Sequence, residues 1–109
     1  MVIKTKLKKF STNQYFGNWK KRKPLKDNLE AHFRIDNIGF KKIARPIKQV
    51  DYIFHLKPTL LDVTNCSGMI KVLEDLIFYR DDPDYIKKVT IEVRLTEKEY
   101  EYVEITIQE

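Results

Sequence analysis

An apolar helical stripe near the middle of the chain constrains its fold most. From residue 64 to residue 79 the apolar side chains recur at intervals of three and four residues, which predicts an amphipathic helix. Thr64 or Asn65 can cap its N-terminus, and the run Asp81, Asp82 and Pro83 ends it. The stripe consists of Cys66, Met69, Ile70, Leu73, Leu76 and Ile77.

Four segments alternate apolar and polar residues and are therefore predicted to be β-strands. They are residues 2–8, 47–56, 89–95 and 103–107. The first segment places Lys4, Lys6 and Lys8 on one face, so it predicts a strand with a basic outer face. A turn near residues 96–98 separates the last two segments, and we expect these strands to pair as an antiparallel hairpin.

A second helix is predicted to begin at Pro24, a residue favoured in the first turn of helices. Asn37 and Gly39 are expected to end this helix, whereas residues 10–23 are expected to form a loop. The predicted order is β-α-β-α-β-β, an α+β domain with a small mixed sheet and two helices. At 109 residues the chain is predicted to be one domain, residues 1–109. Homodimerisation would add core to a domain this small.

The net charge of +5 conceals a strong asymmetry. Residues 1–50 hold 14 Lys and Arg against 3 Asp and Glu, a net charge of +11, whereas residues 51–109 hold 7 against 13, a net charge of −6. A basic half with interleaved aromatic residues indicates a nucleic-acid partner. A different interpretation also stays open, in which the chain is a small interaction protein whose charge only keeps it soluble. No apolar run reaches the roughly 20 residues of a membrane span, so no membrane partner is expected.

Carboxylates cluster around the central helix and predict a metal site. Asp62 precedes the helix, Asp75 lies on it, and Asp81 and Asp82 follow it. Mg²⁺ prefers oxygen ligands and usually takes one or two protein carboxylates together with water and phosphate. Lys71 shares a helix face with Asp75 and could bind a scissile phosphate. The alternative is structural: a helix-terminal anion, an exposed ion pair and an acidic turn.

Other chemistries have weaker support. His32, His55 and Cys66 lack the spacing of a zinc site, and Cys66 has no neighbouring histidine to activate it. A single cysteine excludes an internal disulfide and fits a reducing compartment. No phosphate-binding glycine motif occurs, and no small-molecule substrate is predicted.

The block STNQYFGNWKKRK, and the block LDVTN with the later run DDPDYIKKV, resemble motifs of the RusA-like crossover-junction endodeoxyribonucleases, especially those of phages and prophages. The block STNQYFGNWKKRK is similar to the N-terminal motif of that family, with Ser11, Asn13, Tyr15, Gly17, Trp19 and Arg22 at the matching positions. The block LDVTN, followed by a lysine, an acidic pair and DDPDYIKKV, is similar to its acidic motif. The resemblance covers roughly residues 11–95.

The resemblance implies a Mg²⁺-dependent homodimer, in which Mn²⁺ can substitute, that cleaves Holliday junctions and other branched DNA in recombination and repair. It implies Asp62, Asp75, Asp81 and Asp82 as metal ligands, with Asp62, Asp82 and Lys71 as the catalytic residues. It also implies the cytoplasm of a bacterial host. The implied DNA-binding residues are Asn13, Tyr15, Trp19, Lys20, Lys21, Arg22, Lys23 and Asn65.

The chain departs from the family pattern at two places. Thr64 stands where the family has a second aspartate, and only six residues, LIFYRD, separate Asp75 from Asp82. Glu74 could supply a carboxylate, although one step along a helix turns it about 100° away from Asp75. These departures favour an alternative function on the same fold, a structure-selective DNA-binding protein without nuclease activity.

Overall fold

The computed structural model describes residues 1–17, 19–58, 61 and 63–109, with Trp19 described by its backbone alone. It shows a four-stranded mixed sheet with three helices, which confirms the predicted α+β class. The chain runs through β1 (Val2–Leu7), α1 (Thr12–Phe16), α2 (Trp19–Asp36), β2 (Gln49–Leu56), a 3₁₀ turn (Val63–Cys66), α3 (Ser67–Ile77), β3 (Val89–Leu95) and β4 (Glu101–Gln108).

The segment predicted to be a loop is helical instead. Ser11 caps α1 through a capping box, in which its hydroxyl accepts from the Gln14 backbone and the Gln14 side chain accepts from the Ser11 backbone. Pro24 lies inside α2 rather than at its start. The earlier start brings the guanidinium of Arg22 to 4.8 Å from the centroid of the Tyr15 ring, a cation–π contact between the two helices.

The strand order of the sheet is β1-β4-β2-β3. β4 pairs antiparallel with both β1 and β2, whereas β3 pairs parallel with β2. The expected hairpin of β3 and β4 is therefore wrong, since β2 lies between them. The connection from β2 through α3 to β3 is instead a parallel crossover.

Burial differs between β4 and β3 in accord with their positions in the sheet. Val103, Ile105 and Ile107 of β4 are at most 2% exposed, whereas Val89 and Leu95 of β3 are 39% and 72% exposed. A strand at the edge of a sheet has a neighbour on one side only, so its side chains are less well covered.

The helices and the sheet form one core. Leu29 and Phe33 of α2 and Met69 and Leu73 of α3 pack with the inward residues of the strands. The outward residues, including Lys4, Lys6, Tyr102 and Glu104, alternate with these core residues and lie on the opposite face, which we call the open face.

Among the described residues, no helix combines the length and the apolar character needed to cross a membrane.

Candidate metal and nucleic-acid site

Three charged side chains meet where α3 and the chain that follows it come together. The ammonium of Lys71, on α3, lies 2.9 Å from Oδ2 of Asp81. Glu74, one turn further along α3, shares a hydrogen bond with the same carboxylate. We call Lys71, Glu74 and Asp81 the α3 cluster. A helical spacing of three residues places Lys71 and Glu74 side by side, and Asp81 closes the group from the following turn.

Burial and repulsion alter the protonation of the α3 cluster. The pKa of Glu74 rises to about 7, first because burial disfavours its charged form and then because Asp81 lies close by. The hydrogen bond from Lys71 lowers the pKa of Asp81 and raises that of Lys71. Near neutral pH, Glu74 can therefore hold a proton that it donates to the Asp81 carboxylate.

A buried hydroxyl lies beneath the two carboxyl groups. Tyr52, on the core face of β2, is 0% exposed, and its Oη has no hydrogen-bond partner among the described residues. Burial raises the pKa of Tyr52 well above its usual value, and the charges of Glu74 and Asp81 raise it further. A buried hydroxyl without a protein partner is uncommon, so Tyr52 adds a polar atom to the core close to the two carboxyl groups.

The other predicted carboxylates lie in different surroundings. Asp75 is exposed on α3, and the ammonium of Lys71 pairs with Asp81. The charge of Asp75 still acts on the cluster, because it helps to raise the pKa of both Lys71 and Glu74. Asp82 accepts hydrogen bonds from the Arg80 side chain at 2.8 Å and from the Asp84 backbone at 3.1 Å. Asp82 is therefore engaged in the turn that follows α3. Asp62 lies outside the described residues.

The structure brings the two sequence blocks together at the start of α3. The hydroxyl of Thr12 lies 3.4 Å from both the Thr64 carbonyl oxygen and the Gly68 backbone nitrogen. A Cβ on Gly68 would lie 3.0 Å from the Cβ of Tyr15, so glycine permits the close approach of α1 and α3. Tyr15 is only 4% exposed and stacks on Phe10, a position that serves the packing of α1.

The remaining predicted DNA-binding residues lie along α1, the first turns of α2 and the 3₁₀ turn. Lys20, Lys21 and Arg22 are exposed at the start of α2, and Lys23 pairs with Asp27 at 2.7 Å. Asn13 is exposed on α1, and Asn65 is half-buried in the 3₁₀ turn. Because α1 contacts both α2 and the 3₁₀ turn, these residues border one region of the surface. Their contact with DNA stays a prediction.

Sequence reasoning discounted Glu74 and did not consider Tyr52 for the site. A signal for Glu74 was available, since it follows Lys71 by three residues and so shares its helix face. It was set aside because it points about 100° away from Asp75 on the helix, whereas its hydrogen bond in the structure is with Asp81. Tyr52 carried no signal of its own, because a tyrosine on an alternating strand is typical of a core residue.

No group of three or more His, Cys, Asp and Glu side chains arranged to hold a metal ion occurs in the described part of the chain. The chain matches no protein-family model and no curated protein.

Proposed function

We propose that this protein is a metal-dependent endodeoxyribonuclease that cleaves branched DNA, as the RusA-like resemblance implies, and that it acts as a homodimer. The observation that carries the proposal is the α3 cluster, in which Lys71, Glu74 and Asp81 meet above the buried hydroxyl of Tyr52. A phosphodiesterase needs groups that hold a cation and a group that stabilises phosphate charge, and the cluster contains both.

The donor set of the cluster fits Mg²⁺ or Mn²⁺. Glu74 and Asp81 share a hydrogen bond, so their oxygens lie close enough together to act on one ion, and Mg²⁺ usually takes one or two protein carboxylates. These two residues would hold the ion, and Asp62 is a further ligand from the sequence motif. Bound there, the ion would neutralise phosphate charge and lower the pKa of a bound water.

Lys71 acts on the phosphate in this proposal. Its ammonium is tethered to Asp81 at 2.9 Å, while about half of its side chain is exposed. It can therefore turn from the carboxylate to a phosphate oxygen without crossing buried apolar surface. A positive charge held at this place stabilises the negative charge that develops during phosphodiester cleavage.

The basic surface at the start of α2 would hold the DNA arms. Lys20, Lys21 and Arg22 lie there, and α1 connects this region to the 3₁₀ turn ahead of α3. Two copies related by a two-fold axis would present two such surfaces and two clusters, which suits the two-fold character of a four-way junction.

A cleavage assay with substitutions on both sides of the turn tests the proposal. A labelled four-way junction and a matched linear duplex are incubated with the protein in Mg²⁺, Mn²⁺ or EDTA. We expect paired nicks on the junction that need the metal and that Asp81→Asn and Lys71→Ala abolish. Asp84→Asn, an exposed carboxylate in the same turn, is the matched control and should leave the nicks unchanged.

Two results would contradict the nuclease. Nicking that survives Asp81→Asn would remove the cluster from catalysis, and the absence of nicks in wild-type protein with either metal would remove cleavage altogether.

The substitution Asp82→Asn separates the roles of the two neighbouring aspartates. Because Asp82 is held by Arg80 and its own turn, we expect this substitution to reduce nicking only as far as it loosens the turn.

Three observations favour the second candidate, a structure-selective DNA-binding protein without cleavage. Only two carboxyl groups converge among the described residues, Thr64 replaces a motif aspartate, and Lys71 already neutralises Asp81. Under this alternative the junction is retained in a gel-shift assay at equal affinity with Mg²⁺ and with EDTA, and no nicks form.

A further inference from the structure

A cleft on the open face of the sheet collects lysine and tyrosine side chains. It has a volume of about 310 Å³. β1 and β4 and the turn before β4 supply most of its walls, and α2 contributes its last residue. The cleft lies at β1, where residues of the open face meet the buried Thr5 and the end of α2, and none of its lining residues belongs to the α3 cluster. Its lining includes Lys4, Lys6, Asp36, Lys98, Tyr100 and Tyr102.

Tyrosine rings form the floor of the cleft, and lysine ammonium groups lie over them. Lys6 is 4.6 Å from the centroid of the Tyr100 ring, and Lys98 is 5.7 Å from Tyr100 and 4.8 Å from Tyr102. The Tyr102 ring stacks on His55 with centroids 4.3 Å apart and planes 6° apart, so it is held in place. Tyr100 is 42% exposed and offers a ring to a ligand.

The charge of the cleft is positive and largely unpaired. Its carboxylate, Asp36, already accepts from the Lys6 backbone nitrogen at 2.7 Å and lies 3.5 Å from the Thr5 hydroxyl. Among the described residues, no carboxylate oxygen lies within 4 Å of the ammonium groups of Lys4, Lys6 or Lys98. The cations therefore remain available to an anionic ligand.

We propose that this cleft binds an unpaired nucleotide of single-stranded DNA. The base stacks on the exposed ring of Tyr100, and the flanking phosphates pair with Lys6 and Lys98, which leave the ring faces that they now cover. Aromatic platforms in a basic groove favour single strands, because the bases of a duplex are already stacked on one another. The inference goes beyond the proposed nuclease, since it needs neither a metal nor cleavage.

Fluorescence anisotropy with a labelled short oligothymidylate, measured in EDTA, tests the cleft. We expect Tyr100→Ala to weaken binding about tenfold because the base can no longer stack, whereas Tyr100→Phe, which keeps the ring, retains wild-type affinity. Lys6→Ala should lower the slope of log K against log salt by about 0.7, the value for one single-strand phosphate contact. Lys42→Ala is the matched control, because its ammonium lies over Tyr79, outside the cleft.

Each other outcome overturns the proposal. Equal losses in Tyr100→Ala and Tyr100→Phe would exclude stacking, and equal effects of Lys6→Ala and Lys42→Ala would exclude the cleft as the phosphate site. Equal affinity for a blunt duplex would exclude a preference for unpaired bases. If Tyr100→Ala lowers the mass found by sedimentation equilibrium and leaves oligothymidylate binding unchanged, a second copy of the chain covers this face. All of these binding measurements contain EDTA, so their outcome does not depend on whether the protein cleaves DNA. Failure of the proposed nuclease and failure of this proposal can therefore be told apart.

Discussion

At the scale of single residues, Glu74 concentrates the unusual chemistry of this chain. It lies partly buried on the amphipathic helix α3 and shares a hydrogen bond with Asp81, close to the buried hydroxyl of Tyr52. A glutamate placed for stability alone would lie on the solvent side of α3, where its charge is hydrated at no cost. The position of Glu74 is better suited to a ligand or proton donor than to helix stability.

The raised pKa of Glu74 predicts a specific pH dependence of stability. The pKa is about 7 in the folded chain against an ordinary value of 4.5, so between these values the folded state binds more protons than the unfolded state. The contribution of Glu74 to the free energy of unfolding is therefore complete below pH 4.5 and is lost as the pH rises through about 7. Relative to wild type, Glu74→Gln should flatten the fall in unfolding free energy across this window.

Urea unfolding at several pH values between these limits measures the difference. Glu97→Gln, which changes an exposed glutamate far along the chain, is the control and should keep the wild-type slope. Parallel curves for Glu74→Gln and wild type would show that Glu74 titrates normally in the folded protein.

At the scale of elements, the strands were predictable and their neighbours were not. Alternation located all four strands because it reflects the face that each strand buries, a local property of the sequence. The pairing of β3 with β4 was inferred from the predicted turn near residues 96–98, and it was wrong because β4 pairs instead with β1 and β2. A turn is a local signal of the sequence, whereas the neighbours of a strand depend on how the whole chain packs.

The candidate site was predictable to a similar extent. Lys71 and Asp81 were placed in the site from sequence because helix spacing and the following turn bring them close. The roles of Asp75 and Asp82 depend on which side chains the turn after α3 engages, and spacing does not determine that. The link between Thr12 and Gly68 likewise needs tertiary structure, since 56 residues separate the two.

Hydrogen exchange can test the sheet order at the same scale. β4 has hydrogen-bonding partners on both sides, so all its inner amides should be protected, whereas β3 pairs only with β2 and should show alternating protection. In the expected hairpin, β3 and β4 would have been hydrogen-bonded to each other. Nuclear magnetic resonance measures this exchange at single amides. Fast exchange at alternate residues of β4 would contradict the observed order.

At the scale of the whole molecule, the basic N-terminal half and the acidic C-terminal half are interleaved by the sheet. β1, α1, α2 and β2 come from or overlap the basic half, and β4 inserts between β1 and β2. Part of the basic charge is neutralised internally, as in the pairs of Lys9 with Glu101 and Lys26 with Glu30. The charge that a polyanion meets therefore depends on position, and the start of α2 is one of the places where exposed cations lie close together along the chain.

Salt titration separates the contribution of these positions from that of net charge. We compare the double variant Lys20→Ala, Lys21→Ala with Lys26→Ala, Arg34→Ala. Each variant removes two cations from α2, so their net charges are equal, but Lys26 and Arg34 both lie within 4 Å of Glu30. If the start of α2 binds DNA, the first variant lowers the slope of log K against log salt by about 0.9 for each duplex phosphate that it no longer neutralises.

The second variant should leave that slope close to wild type, because its cations lie near a carboxylate and further along the helix. Anisotropy with a labelled four-way junction, measured in EDTA over a range of salt concentrations, gives both slopes. Equal changes in the two variants would mean that the junction responds to overall charge and would remove the start of α2 from the interface. Unequal changes in the expected direction would assign the phosphate contacts to this surface whether or not the α3 cluster cleaves.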